Sequence, residues 1–346
     1  MKKKILFISI KYYDAEKNKG RSYEYNNFYL NLKKYFNISH LPIDEIIQKN
    51  GYDYLNDKIL KIHRNYDILF FFMYKNDIYP STLKVIKNNK KIKSIAWMSD
   101  DHWRFNIYSR KYVGYFDLIV TTCSNAFQKY KKLNQKAYLG FWATDDTKIK
   151  KNNNSKYTIS FIGKKYGNRA AYIKFLKQKN FFVKCFGHGW EKKSFFLGDI
   201  KNVFIKSDIN LNFSESSTGL SFKNILKVFI YKKTNGWYLF NNPLKYILYF
   251  KTFCLSQSKQ IKGRLFEIVS SKSFVLTEYQ KDLHKFFDLK KEIDCFKNKD
   301  DLLKKLNFYK KNQNVIYHMR NRAYKKFKKK YTIQLLFKKI FNEVSK

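Results

Sequence analysis

Lys262, Gly263 and Arg264 are followed by Glu267, so two cations, a glycine and a carboxylate fall within two turns of any helix built here. Glu267 lies three residues beyond Arg264 and shares its face. A diphosphate at the first turn of such a helix would meet free backbone N–H groups and both cations, and Glu267 could accept from a sugar or ribose hydroxyl. A basic helix turn whose Glu267 merely pairs with Lys or Arg accounts for the same residues. The run SFVLT at 273–277 has the size and β-branching of an interior strand, so the helix would feed a buried sheet.

A second constellation follows the apolar run SIAWM: Ser99, Asp100, Asp101, His102 and Trp103. Adjacent carboxylates, an imidazole and an indole could hold a sugar by hydrogen bonds and stacking, or accept a proton. Equally, Asp100 or Asp101 could cap the next helix, with His102 orienting it. The polar first loop carries Gly20, Arg21 and Ser22, which could approach an acceptor.

Further along, Gly163 and Gly167 flank a turn between the strand YTISFI and a helix expected over 168–177. Strand, glycine loop and helix form a phosphate-compatible unit, although the spacing is not a GxGxxG fingerprint and a turn needing glycine explains it as well. FFVKCFGHGW at 181–190 is another strand ending in a glycine turn, where His188 could face a phosphate or hydroxyl or serve structure alone. INLNF follows a short helix or loop in the 203–216 stretch and puts Asn212 and Ser214 near its carboxyl end.

The elements needed to position these groups are legible. ILFISI, DILFFFM, SIAWMSD and DLIVTT are short apolar runs, and the segments 24–35, 52–64 and 79–90 are long enough for helices, Pro80 sitting near a helix start. Strands alternating with helices predict a parallel, doubly wound sheet whose ligands collect at the carboxyl ends of the strands. At 346 residues the chain allows two domains of roughly 150 residues each. KIKKNNNSK at 148–156 is polar and aperiodic, and is read as the linker. The expected division is 1–147, an N-terminal domain; 157–330, a C-terminal domain with an insertion at 219–253; and a last helix over 331–346 bracing the lobes.

With 44% hydrophobic residues, including 33 Phe and 28 Tyr, the chain has ample core material and is no disordered basic tail. The net charge of +44 would attract nucleic acid, anionic headgroups or phosphorylated substrates alike. Lysine and asparagine are abundant throughout, so the charge is weak evidence for nucleic acid. Cys123, Cys185, Cys254 and Cys295 form no CxxC pair, which argues against structural zinc and a disulfide framework and fits a reducing compartment. MKKKILFISI is too short in its apolar run for a signal peptide and reads as the first strand.

Taken in order, SFIG with Arg169, FGHGW, SDINLNFS, IKGRLFEI, FVLTE, KEIDCF and a closing tyrosine-rich basic helix over roughly 314–337 resemble the spore-maturation-type (CgeB-like) glycosyltransferases of the GT-B superfamily. WMSDDHW matches the same family's tryptophan and paired aspartates, with His102 where proline is often expected. The resemblance implies two Rossmann-like, doubly wound parallel-sheet domains facing a cleft, with the acceptor on the N-terminal side and a nucleotide-diphosphate sugar on the C-terminal side. It implies Lys262 and Arg264 near the diphosphate, Glu267 near the donor ribose or sugar, and Gly163, Arg169, His188 and Asn212 on the donor side. Asp100 and Asp101 would face the cleft as catalytic candidates beside Glu267. Related retaining enzymes carry another acidic residue eight positions before the glutamate, where this chain has Lys259.

The function so implied is sugar transfer from a nucleotide-diphosphate donor to a glycan, lipid-linked or protein acceptor in surface-glycan biosynthesis, with no separate cofactor and no metal. Retention of anomeric configuration follows only from superfamily likeness. A non-enzymatic RNA- or phosphoglycan-binding protein, or a catalytically silent GT-B scaffold, would use the same basic surfaces. The expected location is cytoplasmic, with a peripheral position on the cytoplasmic membrane face as the alternative. The 219–253 insertion, interrupted by TNGW and NNP, is no transmembrane span; core or lid packing, an oligomer contact or an anionic membrane face are its readings.

Overall fold

β3 (Ile68–Met73) is ILFFFM with all six side chains buried, as befits a strand covered on both faces. In the computed structural model, which describes residues 3–146, 156–190, 197–215 and 225–346, it lies inside a six-stranded parallel sheet ordered β2-β1-β3-β4-β5-β6. The partners are β1 (Lys4–Ser9), β2 (Asn37–Pro42), β4 (Lys93–Met98), β5 (Leu118–Thr121) and β6 (Ala137–Leu139). The four expected strands are present. β2 and β6 were not foreseen: β2 is NISHLP, polar and half-exposed, and β6 has three half-buried residues.

Helices cross between these strands. Expected 24–35 is a π-helical segment, Glu24–Tyr29, running into the single turn Leu30–Leu32. Expected 52–64 begins earlier, as the helix Ile43–Ile62 broken at Gly51, whose φ of 85° interrupts the helical backbone. Pro80 occupies the first position of the helix Pro80–Asn88, where its missing N–H costs nothing.

A second parallel sheet is ordered β13-β12-β9-β7-β8, from β7 (Tyr157–Ile162), β8 (Val183–Phe186), β9 (Ser207–Asn212), β12 (Val275–Glu278) and β13 (Asp294–Phe296). Its helices include Arg169–Gln178, Leu197–Ile205, Gly263–Ser270, Lys299–Lys311 and Gln313–Lys330. The core is aromatic: Phe161, Phe213, Phe296 and Tyr172 meet at ring separations of 5.1 to 5.7 Å.

Contacts divide the chain into one unit of 1–141, 222–256 and 333–346 and another of 142–221 and 257–332. The expected insertion at 219–253 thus joins the first sheet's unit wherever it is described, and the expected linker falls on residues outside the described ones except Lys156. The basic C-terminal stretch is two helices. Gln313–Lys330 stays with the second unit, while Ile333–Ser345 covers the first sheet. Phe337, fully buried, sits 5.1 Å from Phe70 and 5.7 Å from Phe28, and stacks parallel to Trp97 at 6.4 Å.

Residues 225–256 form an antiparallel hairpin, β10 (Ile230–Lys232) with β11 (Tyr238–Phe240), followed by the helix Tyr246–Ser256. Among the described residues, no helix is long and apolar enough to cross a membrane.

Candidate functional site

In the second unit the loops after β7 and β8 are knitted backbone to backbone. Gly163 N–H donates to the Phe186 carbonyl (2.9 Å), Lys165 N–H to that of His188 (2.9 Å), and the Trp190 indole to that of Gly163 (2.9 Å). No side chain fits between them. A Cβ on Gly163 would stand 2.7 Å from the Phe161 ring, and one on Gly187, at φ 118°, would stand 2.6 Å from the Gly163 oxygen. His188 is exposed and joins this knit through its carbonyl.

Arg169 opens the helix Arg169–Gln178 and is buried. Its guanidinium lies 4.0 Å from the Tyr166 ring centroid and donates to the Lys164 carbonyl at 3.0 Å. Burial lowers its pKa, and its Nε, enclosed, has no hydrogen-bond partner. Lys262 approaches the same Tyr166 ring at 5.9 Å. It occupies the N-cap position of the helix Gly263–Ser270, and its ammonium donates to the Glu215 carbonyl.

Two carboxylates that sequence reasoning did not single out tie these loops together. Glu215 accepts from the Asn168 N–H (3.0 Å) and side-chain amide (2.8 Å), and Gly167, at φ 57°, leaves room for it. Glu278, at the carboxyl end of β12, accepts from the Glu215 N–H at 2.9 Å and from Lys259 at 2.7 Å. The signal for Glu278 lay in the motif FVLTE, read there only as a strand; Glu215 carried none, since its partners lie 47 and 63 residues away.

One turn into the Gly263–Ser270 helix, Arg264 donates to Glu267 at 2.5 Å, with Glu267 buried and the guanidinium 5.6 Å from the Phe204 ring. The simple pairing reading of Glu267 is therefore what the side chains do here. Asn212 is buried and donates to Thr277 at 2.9 Å, bracing β9 against β12, and Ser214 donates to the Glu278 carbonyl at 2.8 Å. Lys259, Lys262, Arg169, Tyr166, Glu215 and Glu278 are thus brought together at the carboxyl end of the sheet, with Arg264 and Glu267 on the adjoining helix. His188 and Asn212 serve the framework through the bonds described.

In the first unit, β4 ends at Met98 and Asp100 takes the left-handed conformation, φ 59°, strained for a non-glycine residue. Its carbonyl accepts from the Trp103 and Arg104 N–H groups, and its side chain makes no capping bond. Asp101 turns inward, accepting from Ser109 and from the Tyr130 hydroxyl at 2.9 Å, and burial pushes its carboxyl up to about 6. The two neighbours therefore differ: Asp101 is enclosed, and Asp100 stands half-buried at the strand end.

Glu24, another residue the sequence did not flag, heads the π-helical segment after the first loop. Burial of its carboxyl pushes it up to about 7, opposed by Ser22 and reinforced by the charges of Asp100 and Asp14. Ser22 is buried, bonded to the Ile10 carbonyl at 2.9 Å. The first unit so offers one carboxyl that titrates near neutrality beside a second, strained one. Among the described residues no group of three or more His, Cys, Asp or Glu is placed to hold a metal ion, and none of the four cysteines is joined in a disulfide.

Residues 234–342 match a family model described as glycosyl transferase-like, less than half of the chain. No curated protein sequence matches. Solved structures do. HepE of Anabaena, in complex with UDP, superposes with a TM-score of 0.55 at 8% identity over 99% of each chain. A glycosyltransferase from Rickettsia africae gives 0.53 at 11%, again over 99% of each chain. Sucrose-phosphate synthase from Thermosynechococcus elongatus gives 0.53 at 7% over 99% of each. The chain spans 58% of the length of S. aureus TarM, which it resembles at TM-score 0.49 and 12% identity over 84% of its own length. With two parallel-sheet α/β units and likeness of this extent, the chain has the GT-B fold.

Proposed function

We propose that this chain is a glycosyltransferase that moves a sugar from a nucleoside-diphosphate donor to a glycan, lipid-linked or protein acceptor in surface-glycan biosynthesis. One observation carries the reading: at the carboxyl end of the second sheet, the glycine loop after β7, buried Arg169 and Lys262 at a helix N-terminus converge around Tyr166. Backbone N–H groups and cations together suit a diphosphate. The glycosyl transferase-like match over 234–342 includes Lys262, Arg264 and Glu267, and HepE was crystallised with UDP, with UDP and glucose and with UDP-glucose, which favours a uridine nucleotide.

In this reading Lys262 and the first turn of the Gly263–Ser270 helix take the diphosphate. Arg264 exchanges part of its bond to Glu267 for a phosphate oxygen, and Glu267 then accepts from a hydroxyl of the donor. The acceptor oxygen forms its bond to the anomeric carbon as the carbon–oxygen bond to the diphosphate breaks, the electron pair leaving on phosphate. The cations offset that developing charge. Asp100 takes or directs the acceptor proton, Glu24 shares it, and Asp101 holds the turn in place through Ser109 and Tyr130. Gly163 keeps the loop close enough for Arg169 to reach the donor, while His188 and Asn212 shape that side. The cations supply the charge neutralisation; no separate cofactor is invoked.

A scaffold without catalysis gains support from Lys259, which stands where related retaining enzymes carry an acid and is committed to Glu278. The two readings part in one experiment: a screen of uridine- and guanosine-diphosphate sugars by thermal shift, followed by donor hydrolysis or transfer assays. Binding with turnover selects the enzyme, binding without turnover the scaffold. Salt-sensitive RNA binding without nucleotide-sugar binding selects a nucleic-acid protein.

A further inference from the structure

The helix Tyr246–Ser256 is folded inside out. Thr252 and Ser256 are buried, while Ile247 and Phe250 are 75% and 55% exposed. Beside it the hairpin projects Trp237 at 72%, Tyr238 at 66% and Phe240 at 80%, and Leu244 between them is 94% exposed. Scattered apolar side chains on a surface need no explanation, but a run of this density in one segment does.

This is no loose flap. Thr234 donates to buried Asp77 at 2.6 Å, Lys232 reaches Glu16 at 2.9 Å, and the Asn241 amide bonds the carbonyls of Lys227 and Val228, all within the first unit. Asn242 caps the turn into the helix through Leu244 N–H at 3.0 Å. The apolar side chains are therefore held outward by a satisfied polar base.

The segment's own charged side chains have one sign, although Lys232 is paired with Glu16 at its base. Residues 225–256 contain five lysines (227, 232, 233, 245 and 251) and no aspartate or glutamate. From these features we infer that the face formed by the hairpin and the Tyr246–Ser256 helix docks on an anionic phospholipid bilayer. Aliphatic and aromatic tips enter the interfacial layer, with Trp237 and Tyr238 at headgroup level and the lysines on lipid phosphate. A second copy of the chain fits less well, because an isologous contact would set these lysines against each other on a molecule of net charge +44. RNA could stack on Trp237, Tyr238 and Phe240 but would leave the aliphatic Leu244 and Ile247 in water, whereas a bilayer interface takes up both kinds of side chain.

The inference stands apart from the transferase reading. Its test is co-sedimentation of the full chain with phosphatidylcholine vesicles, with and without phosphatidylglycerol. Binding is expected only with phosphatidylglycerol and should weaken as salt rises. Combined Trp237→Ser, Phe240→Ser and Ile247→Ser should lower it by roughly tenfold or more, as should Lys245→Glu with Lys251→Glu. Melting temperature and nucleotide-sugar binding, followed in parallel, should not move, so loss of docking is told apart from loss of fold or donor site. No vesicle binding, equal binding to both vesicle types, or displacement by soluble glycerol phosphate overturns the inference. So do dimers in light scattering that the same substitutions abolish, which would assign the face to a second copy.

Discussion

Lys259 meets Glu278 at 2.7 Å, and the carboxylate it reaches is only 5% exposed while the lysine is 43% exposed. A cation from the approach to the Gly263–Ser270 helix thus neutralises a nearly dry acid at the end of β12, and that acid in turn holds the Glu215 N–H. Lys259 is thus part of the charge balance of the sheet's carboxyl end.

Removing the cation alone should therefore hurt. Lys259→Ala leaves Glu278 buried without its partner and should cost about 1–2 kcal/mol in denaturant unfolding, less than for a fully buried pair because the lysine is half in water. Lys259→Glu should cost more than Lys259→Ala. Adding Glu278→Gln to Lys259→Ala should recover most of the loss.

Glu24 should make stability and activity depend on pH near neutrality. Its folded pKa of about 7 lies above the 4.5 of an ordinary glutamate, so the folded state holds the proton more tightly. Its contribution is most favourable below about 4.5 and is lost as pH rises to about 7, then levels off. Glu24→Gln should flatten that fall, worth up to about 3 kcal/mol by urea unfolding at several pH values. If Glu24 shares the acceptor proton, the same variant should also shift the acid limb of the kcat profile.

Gly187→Ala forces a side chain into a backbone at φ 118° and against the Gly163 oxygen at 2.6 Å. The glycine knit should open, destabilising the second unit by about 1–3 kcal/mol and weakening nucleotide-sugar binding in thermal shift. Gly20→Ala, at a positive φ but with nothing within 4 Å, should leave donor binding unchanged.

Phe337→Ala should cost about 3–5 kcal/mol in chemical denaturation, since the ring is fully buried among Phe70, Phe28 and Trp97. Lys338→Ala, next to it on the same helix, is the surface control, with a change within about 0.5 kcal/mol.

What the chain made legible was what lies buried on both faces. β3, β4 and β5 are continuous apolar runs, and their identity as interior parallel strands follows from composition alone. β2 escaped notice because an edge strand alternates and looks like loop. The Lys262–Glu267 segment stands out in the sequence because its residues are neighbours there, and a helix does begin at Gly263. Glu215, Glu278 and Glu24 were not found, because their meaning comes from partners brought up by the sheet: Asn168, Lys259 and Asp100. For the same reason the hairpin and helix of 225–256 were assigned by sequence order to the second unit, although Asp77 and Glu16 hold them on the first.

Whether the turn at Lys262 and Arg264 holds a diphosphate is tested most directly by titration of UDP and UDP-sugars into the wild-type chain, Arg264→Ala and Glu267→Gln. The wild type should bind, and Arg264→Ala should weaken binding roughly tenfold or more. Glu267→Gln, with its melting temperature kept, should lose transfer. Donor affinity unchanged in both variants would contradict a diphosphate at this turn and move the donor site elsewhere.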